Sequence, residues 1–143
     1  MPAVFDKLGI RFMYPDNWML DEQEAIAGNN SVTVYSPGGA FWSVVLHDRS
    51  ADPKELAAEA LNALKAEYEG SEAEPASEEV AGQELRGYDV NFFYLDLTNT
   101  ALIRSFRTTD AACLILCQAE DRELVTAEPV FRAMTTSLLT GKT

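Results

Sequence analysis

The stretch GIRFMYPDNWML, residues 9–20, decides the fold because a strand-like run meets a turn flanked by two large aromatic residues. Before the turn, Ile10, Phe12 and Tyr14 alternate with Arg11 and Met13. This is the two-residue period of a β-strand that buries one face. The first half of the stretch therefore predicts a strand.

The second half of the stretch predicts a tight turn from Tyr14 to Asn17. Pro15 presets the φ angle for the second position of a type I turn, and the Asp and Asn that follow it favour turns as well. Trp18 then starts the return segment. The turn thus places one large aromatic side chain on each side of a chain reversal.

A hairpin and a helix follow. Residues 31–36 and 40–48 alternate like strands, and the Pro-Gly-Gly between them favours a short connection. Asp52 is a typical N-cap with proline after it, and Leu and Ala then recur at helical spacing up to Gly70. We expect a helix over residues 53–69.

The next segment, residues 67–84, contains seven acidic residues and no Lys or Arg, which is typical of a solvated connection or an edge strand. Three strand-like runs then follow at 88–97, 100–109 and 112–119. Thr98-Asn99 and Asp110 favour short turns between them, so these runs predict an antiparallel meander.

The chain closes with a second helix, for which Thr126 is the expected N-cap and Pro129 lies in the first turn. Strands in sequence, interrupted by one helix and closed by another, favour an α+β fold in which helices pack against an antiparallel sheet. No repeat or boundary divides the chain, so residues 1–143 are expected to form a single domain.

The composition limits the possible partners. Asp and Glu number 23 against 11 Lys and Arg, a net charge of -12. Such a charge disfavours nucleic acid and anionic membrane surfaces, since both bind through Lys and Arg. The sequence shows no signal peptide and no run long enough to span a membrane. Cys113 and Cys117, four apart on a strand, are too distant to bridge, and free thiols favour the cytoplasm.

Candidate chemistry is sparse. His47 is the single histidine, and neighbouring Asp48 would point to the opposite face of a strand, where it could not orient the imidazole. A metal site of His47, Cys113 and Cys117 would lack a fourth ligand. No nucleophile or phosphate-loop motif is present. We expect a non-catalytic protein without metal or cofactor, and a hydrolase built on His47 is the least favoured alternative.

Apolar residues occupy both faces of the runs at 40–48 and 88–97, so both faces of the sheet need cover. Any part that the two helices leave open could bind a protein or peptide, and the expected binding residues are Phe41, Trp42, Phe93 and Tyr94. Loops and the N-terminal hairpin could fill the same space instead. A small-molecule or lipid carrier that uses the same apolar face is the alternative function.

The order and spacing of several segments resemble those of PsbP-like domains: FMYPDNW, PKELAAEALNALKAEY, EEVAGQELRGYDVNFFY, TALIRSFRTTDAACLILCQA and EPVFRAMTTSLL. The resemblance covers nearly the whole chain. It implies a central antiparallel sheet sandwiched by helices, in which Tyr14 and Trp18 form a structural clasp in the core around Pro15.

Relatives in this superfamily have non-enzymatic roles. They include the extrinsic subunit of the oxygen-evolving complex, Ran-binding import factors, and small bacterial chaperones that shelter apolar segments of secretion effectors. The chaperones are similar to this chain in length and acidity. The resemblance therefore implies a cytoplasmic binding protein with an adaptor-like or chaperone-like role, and the fold alone does not choose among these roles.

Overall fold

The computed structural model describes residues 2–22 and 30–141. Within these ranges the strands are β1 (Pro2–Lys7), β2 (Ile10–Pro15), β3 (Met19–Asp21), β4 (Ser31–Tyr35), β5 (Phe41–His47), β6 (Glu72–Val80), β7 (Gln83–Tyr94), β8 (Leu97–Arg107) and β9 (Ala112–Glu120). The helices are α1 (Pro53–Glu67), between β5 and β6, and α2 (Asp121–Thr140), after β9.

Seven of these strands form one antiparallel sheet in the order β3-β4-β5-β9-β8-β7-β6. The remaining two, β1 and β2, pair with each other as a separate antiparallel hairpin. Helices lie on both sides of the large sheet, so the expected α+β sandwich is confirmed. The hairpin of β4 and β5 and the meander of β7, β8 and β9 are also present.

One side of the sheet, which we call the α2 face, is covered by α2 and by the β1-β2 hairpin. The Phe12 ring of the hairpin lies 4.7 Å from the Trp42 ring of β5, measured between centroids. The Met13 amide of the hairpin donates a 2.9 Å hydrogen bond to Ser137 Oγ of α2. The hairpin therefore joins the main sheet through side chains rather than through a shared strand ladder.

The other side, the α1 face, is covered by α1 over β7, β8 and β9. Its core is smaller and contains Leu64 of α1 packed with Val90, Phe92 and Ile103 of the sheet. Two cores on opposite faces explain why the central strands are apolar at both odd and even positions.

The YPDNW corner differs from the sequence-based expectation in two respects. The Trp18 amide donates a 3.0 Å hydrogen bond to the Pro15 carbonyl, so the turn runs from Pro15 to Trp18, one residue later than predicted. The reason is that Pro15 still pairs with Pro2 in the hairpin and remains extended. The segment after Trp18 then pairs with β4 instead of folding back on β2.

Tyr14 and Trp18 are each half-buried and pack against the core of the α2 face. The Trp18 ring meets the Phe131 ring of α2 edge-on, at a centroid distance of 6.0 Å. Trp42, by contrast, is 0% exposed. Trp42 rather than Trp18 is therefore the tryptophan at the centre of the core, and the role of Tyr14, Pro15 and Trp18 as a clasp stays a prediction.

The first helix follows its sequence signals. The Asp52 carboxylate accepts a 3.0 Å hydrogen bond from the Lys54 amide, as expected of an N-cap. The helix ends at Glu67, and Gly70 after it has a φ of 78°, a conformation that favours glycine.

The prediction that the second helix begins at Thr126 is wrong, because α2 begins at Asp121. Thr126 lies inside the helix, and its hydroxyl donates to the Glu123 carbonyl. Pro129 is internal as well and cannot donate to the Val125 carbonyl. Val125 is 78% exposed, so water can take the place of the missing donor and the proline is tolerated.

The acidic segment contains the edge strand β6, which confirms that alternative over a plain connection. A charged cluster around the buried Arg104 ties this edge to the sheet. Arg104 Nε donates to Glu78 Oε2 at 2.6 Å, and Arg104 Nη2 forms an ion pair with Asp89 Oδ1 at 2.9 Å. Arg132 of α2 also contacts Glu78, at 3.1 Å. Ion pairs thus connect the edge strand β6 to the centre of the sheet and to α2.

The turn between β7 and β8 lies at Leu95 and Asp96 and not at Thr98-Asn99, where the sequence placed it. Asn99 instead is buried in β8, and its side-chain Nδ2 donates a 3.0 Å hydrogen bond to the Leu97 carbonyl. The polar side chain of Asn99 therefore stabilises the hairpin through this hydrogen bond and does not form the turn. This shift of three residues moves an apolar segment to the end of the hairpin.

Candidate binding surface

The end of the β7-β8 hairpin projects beyond the strands on either side of it. The pairing of β6 with β7 starts at Glu72 opposite Asn91, and the pairing of β8 with β9 ends at Asn99 opposite Glu120. Residues 92–98 therefore extend past both neighbouring strands, and their ladder partners lie within the hairpin itself.

Four large apolar side chains are exposed in this projecting segment. Phe93 is 71% exposed, Tyr94 53%, Leu95 76% and Leu97 40%. We call these four residues the hairpin tip. Tyr94 and Leu97 pair across the hairpin on one face, and Phe93 lies on the other. Single exposed apolar residues are ordinary on protein surfaces, but several large ones at one projecting turn are typical of an interaction site.

The base of the hairpin tip is held against α1 by aromatic contacts. Phe92 is buried and stacks on the Tyr68 ring at the end of α1, with 4.1 Å between centroids. Tyr68 also meets Tyr94 edge-on at 6.0 Å. Burial raises the pKa of the Tyr68 phenol, and the nearby Glu67 carboxylate raises it further. The tip is therefore a supported projection with a neutral phenol at its base.

The backbone at the hairpin tip has an unusual conformation. Leu95 and Asp96 have φ angles of 53° and 62°, as a two-residue type I′ turn requires. Asn-Gly is the usual pair in such a turn, because side chains other than those of Asn, Asp and Gly rarely adopt positive φ. Leu95 thus presents a large apolar side chain at a position where the backbone favours glycine.

The structure separates the four residues that the sequence predicted to bind a partner. Phe93 and Tyr94 lie in the hairpin tip. Phe41 is half-buried on the α1 face of β5, beside the Tyr35 ring at 6.0 Å. Trp42 lies on the α2 face, and its indole N–H donates a 3.0 Å hydrogen bond to Thr135 Oγ1.

The expectation that Trp42 lies on an open surface is wrong, because its neighbours Phe12 and Thr135 cover it fully. Sequence reasoning also missed Leu95 and Leu97. The placement of the turn at Thr98-Asn99 put both leucines inside a strand. The available signal was Asp96, a turn-favouring residue inside an otherwise apolar run.

The residues weighed for chemistry do not converge. His47 pairs with Ala112 on the α1 face, whereas Cys113 and Cys117 are buried on the α2 face. Burial raises the pKa of the Cys117 thiol well above its usual range. Asp48 accepts hydrogen bonds from the amide and hydroxyl of Ser50, which lower its pKa. Asp48 is therefore turned toward its own loop.

Within residues 2–22 and 30–141, no group of three or more His, Cys, Asp and Glu side chains could hold a metal ion. Neither helix in these ranges is long and apolar enough to cross a membrane.

A cleft of about 1080 Å³ lies at the end of the sheet opposite the hairpin tip. Its walls combine apolar side chains such as Leu46, Phe106 and Leu138 with polar ones that include His47. Arg107 on its wall donates to the backbone carbonyls of Arg49 and Ala51. That guanidinium thus holds the neighbouring loop in place.

Comparison with solved structures identifies the class of fold. The chain is similar to cyanobacterial PsbP (CyanoP) from Synechocystis, with a TM-score of 0.64 and 13% identity over 95% of this chain and 90% of that one. It is also similar to the Ran-binding protein Mog1p of Saccharomyces cerevisiae, with a TM-score of 0.55 and 12% identity over 98% and 91%.

A Pseudomonas aeruginosa protein of unknown function gives a TM-score of 0.56 and 12% identity over 96% of this chain and 95% of that one. No protein-family model and no curated protein matches the sequence. The chain therefore adopts the PsbP-like fold that its motifs resemble, and at these identities the likeness shows the fold alone.

Proposed function

We propose that this chain is a non-catalytic protein-binding domain that holds its partner at the hairpin tip, in an adaptor-like or chaperone-like role in the cytoplasm. The observation that carries the proposal is the group of four exposed apolar side chains on a hairpin that extends past its sheet. Large apolar anchors that are exposed in the free protein commonly supply most of the binding energy of an interface.

The conformation of the hairpin tip supports this proposal. A leucine at positive φ stores strain of about 1–3 kcal/mol, and exposure of Phe93 and Leu95 to water gives no folding energy in return. The contacts of Tyr68 with Phe92 and Tyr94 order the tip in advance, which reduces the entropy lost on binding.

The fold neighbours are compatible with a binding role, because one of them is named for its binding of another protein, Ran. The two buried cysteines are in the reduced form, which suits a reducing compartment.

Site-specific photo-crosslinking in the native cell tests the proposal. A photoreactive phenylalanine analogue at Phe93 is compared with the same analogue at Val125, which is similarly exposed but lies on α2. We expect a discrete protein adduct from position 93 and none from position 125. Equal labelling from both positions, or none from either, would refute a protein-binding role for the tip.

A second candidate function, a small-molecule carrier, is favoured by the cleft of about 1080 Å³ at the opposite end of the sheet. The volume suits a ligand, although the cleft lies at the sheet end and not on the apolar sheet face that the sequence suggested. Native mass spectrometry of the purified chain is the test. A bound small molecule that is lost on Leu46→Arg substitution would favour the carrier function over the protein-binding function.

A further inference from the structure

The hairpin tip is bordered by acidic side chains. Asp96 lies in the turn itself. Glu67 and Glu69 flank Tyr68, the residue that contacts Tyr94, and Glu72 lies opposite Asn91 at the base of the projection. We call Glu67, Glu69, Glu72 and Asp96 the acidic rim; all four are exposed.

The charges of the acidic rim are largely uncompensated within the protein. Glu69, Glu72 and Asp96 form no ion pair in the part of the chain that the structure describes. Lys65 is the one basic residue in the last turn of α1, and Arg122 at the start of α2 is engaged by Glu120. The surroundings of the tip are therefore negative.

This charge discriminates among the classes of partner that could cover an apolar projection. A second copy of this chain would bring its own charge of -12 to the contact. An anionic membrane surface would likewise repel the acidic rim. A protein surface with Lys and Arg around an apolar centre gains attraction from the rim and burial from the tip.

From this we infer the chemistry of the partner: the hairpin tip takes a basic amphipathic segment of a protein. The apolar side of the segment packs over the turn on Phe93 and Leu95, and its Lys and Arg side chains face the acidic rim. This inference rests on the proposed protein-binding function and specifies the class of segment that is bound.

The test uses the full chain and two synthetic helical peptides, one of leucine and lysine and one of leucine and glutamate with the same pattern. Binding is measured by fluorescence anisotropy of the labelled peptide at low and at physiological salt. Three variants are compared with the wild type. The tip variant is Phe93→Ser with Leu95→Ser, and the rim variant is Glu69→Gln, Glu72→Gln and Asp96→Asn.

The third variant, Glu55→Gln with Glu59→Gln and Asp110→Asn, removes the same number of charges from exposed positions away from the tip. It separates the rim from the general charge of the protein. All three variants change exposed side chains, and their thermal melts should stay close to that of the wild type.

We expect the wild type to bind the lysine peptide and not the glutamate peptide. The tip variant should lose about tenfold or more in affinity. The rim variant should lose about threefold to tenfold at low salt, and its affinity should depend less on salt, because exposed charges act over about one Debye length. The control variant should bind like the wild type.

Two outcomes separate this inference from the function on which it rests. Tip-dependent binding of both peptides with equal affinity would overturn the basic segment and leave an apolar protein-binding tip. Unchanged binding by the tip variant would overturn both, since general charge would then explain the attraction.

Two further measurements address the other partners. Tip-dependent binding to phosphatidylcholine vesicles that matches or exceeds binding to the lysine peptide would overturn the inference in favour of a membrane. A tip-dependent dimer in sedimentation would overturn it in favour of a second copy.

Discussion

The two tryptophans of this chain allow a direct test of which one supports the core. Trp42 is 0% exposed, its ring lies 4.7 Å from that of Phe12, and its indole N–H donates to Thr135 at 3.0 Å. Trp18 is only half-buried. We predict that Trp42→Phe destabilises the fold considerably more than Trp18→Phe does.

The magnitude follows from what each substitution removes. Trp42→Ala would cost about 3–5 kcal/mol for the lost volume, and about 1–3 more because the Thr135 hydroxyl loses its partner. That sum approaches the whole stability of a typical domain, so Trp42→Phe is the better measurement. We expect it to cost about 1–3 kcal/mol, and Trp18→Phe less than about 1 kcal/mol.

Urea unfolding followed by far-UV circular dichroism measures both losses without relying on tryptophan fluorescence. A double-mutant cycle of Trp42→Phe with Thr135→Val isolates the hydrogen bond, for which we expect a coupling of about 1 kcal/mol. Equal losses from the two tryptophan substitutions would refute the reasoning, and so would a larger loss from Trp18→Phe.

Three further predictions concern stability and reactivity. Gly87→Ala should cost more than about 3 kcal/mol in urea unfolding, because an added Cβ would lie 1.8 Å from a backbone oxygen of β8. Gly82→Ala should cost only about 1 kcal/mol, because the φ of 80° is strained for alanine but no atom lies near the added Cβ. Arg104→Met should cost about 1–3 kcal/mol in urea unfolding and Glu78→Gln less, because the first leaves Asp89 without its cation and Glu78 with Arg132 alone; equal losses would contradict this. Burial raises the pKa of Cys117, so the native thiol should resist an aromatic disulfide reagent and react in urea. The folded state holds the thiol proton more tightly, so the stabilisation that comes from the protonated thiol is complete below the unfolded thiol pKa of about 8.5 and is lost as the pH rises above it. The difference in unfolding free energy between wild type and Cys117→Ala should therefore change at alkaline pH, and a constant difference would contradict the prediction.

Local patterns predicted much of the fold. Alternation located the strands of the meander, and Asp52 with the following proline located the start of α1. These features depend on residues close in sequence, so a single chain reveals them. The fold neighbours agree with the class that the motifs suggested.

The wrong predictions concern features that depend on contacts between residues far apart in the sequence. Whether Trp18 or Trp42 lies at the centre depends on the β1-β2 hairpin, which covers β5 from a distance in sequence. The start of α2 at Asp121 depends on its docking, since Thr126 and Pro129 favour a later start. Pairing of β7 with β8 through Tyr94 and Leu97 likewise overrides the turn preference of Thr98-Asn99.

The candidate site can be predicted from the sequence only in part. The apolar run marks Phe93 and Tyr94 as candidate binding residues, but no local pattern distinguishes them from Trp42, which is equally aromatic and fully enclosed. Only the length of the neighbouring strands shows that the hairpin extends past its sheet.

The unequal size of the two cores has a consequence for the dynamics of the molecule. The helix α1 is held by a small set of contacts around Leu64, whereas α2 and the N-terminal hairpin share a much larger one. Partial opening should therefore release α1 first, and its amide protons should exchange with solvent before those of α2. Because the Tyr68 ring at the end of α1 stacks on Phe92, each opening of α1 would briefly loosen the β7-β8 turn as well. The frequency of these openings would then set how often the hairpin tip lacks the conformation that binds a partner.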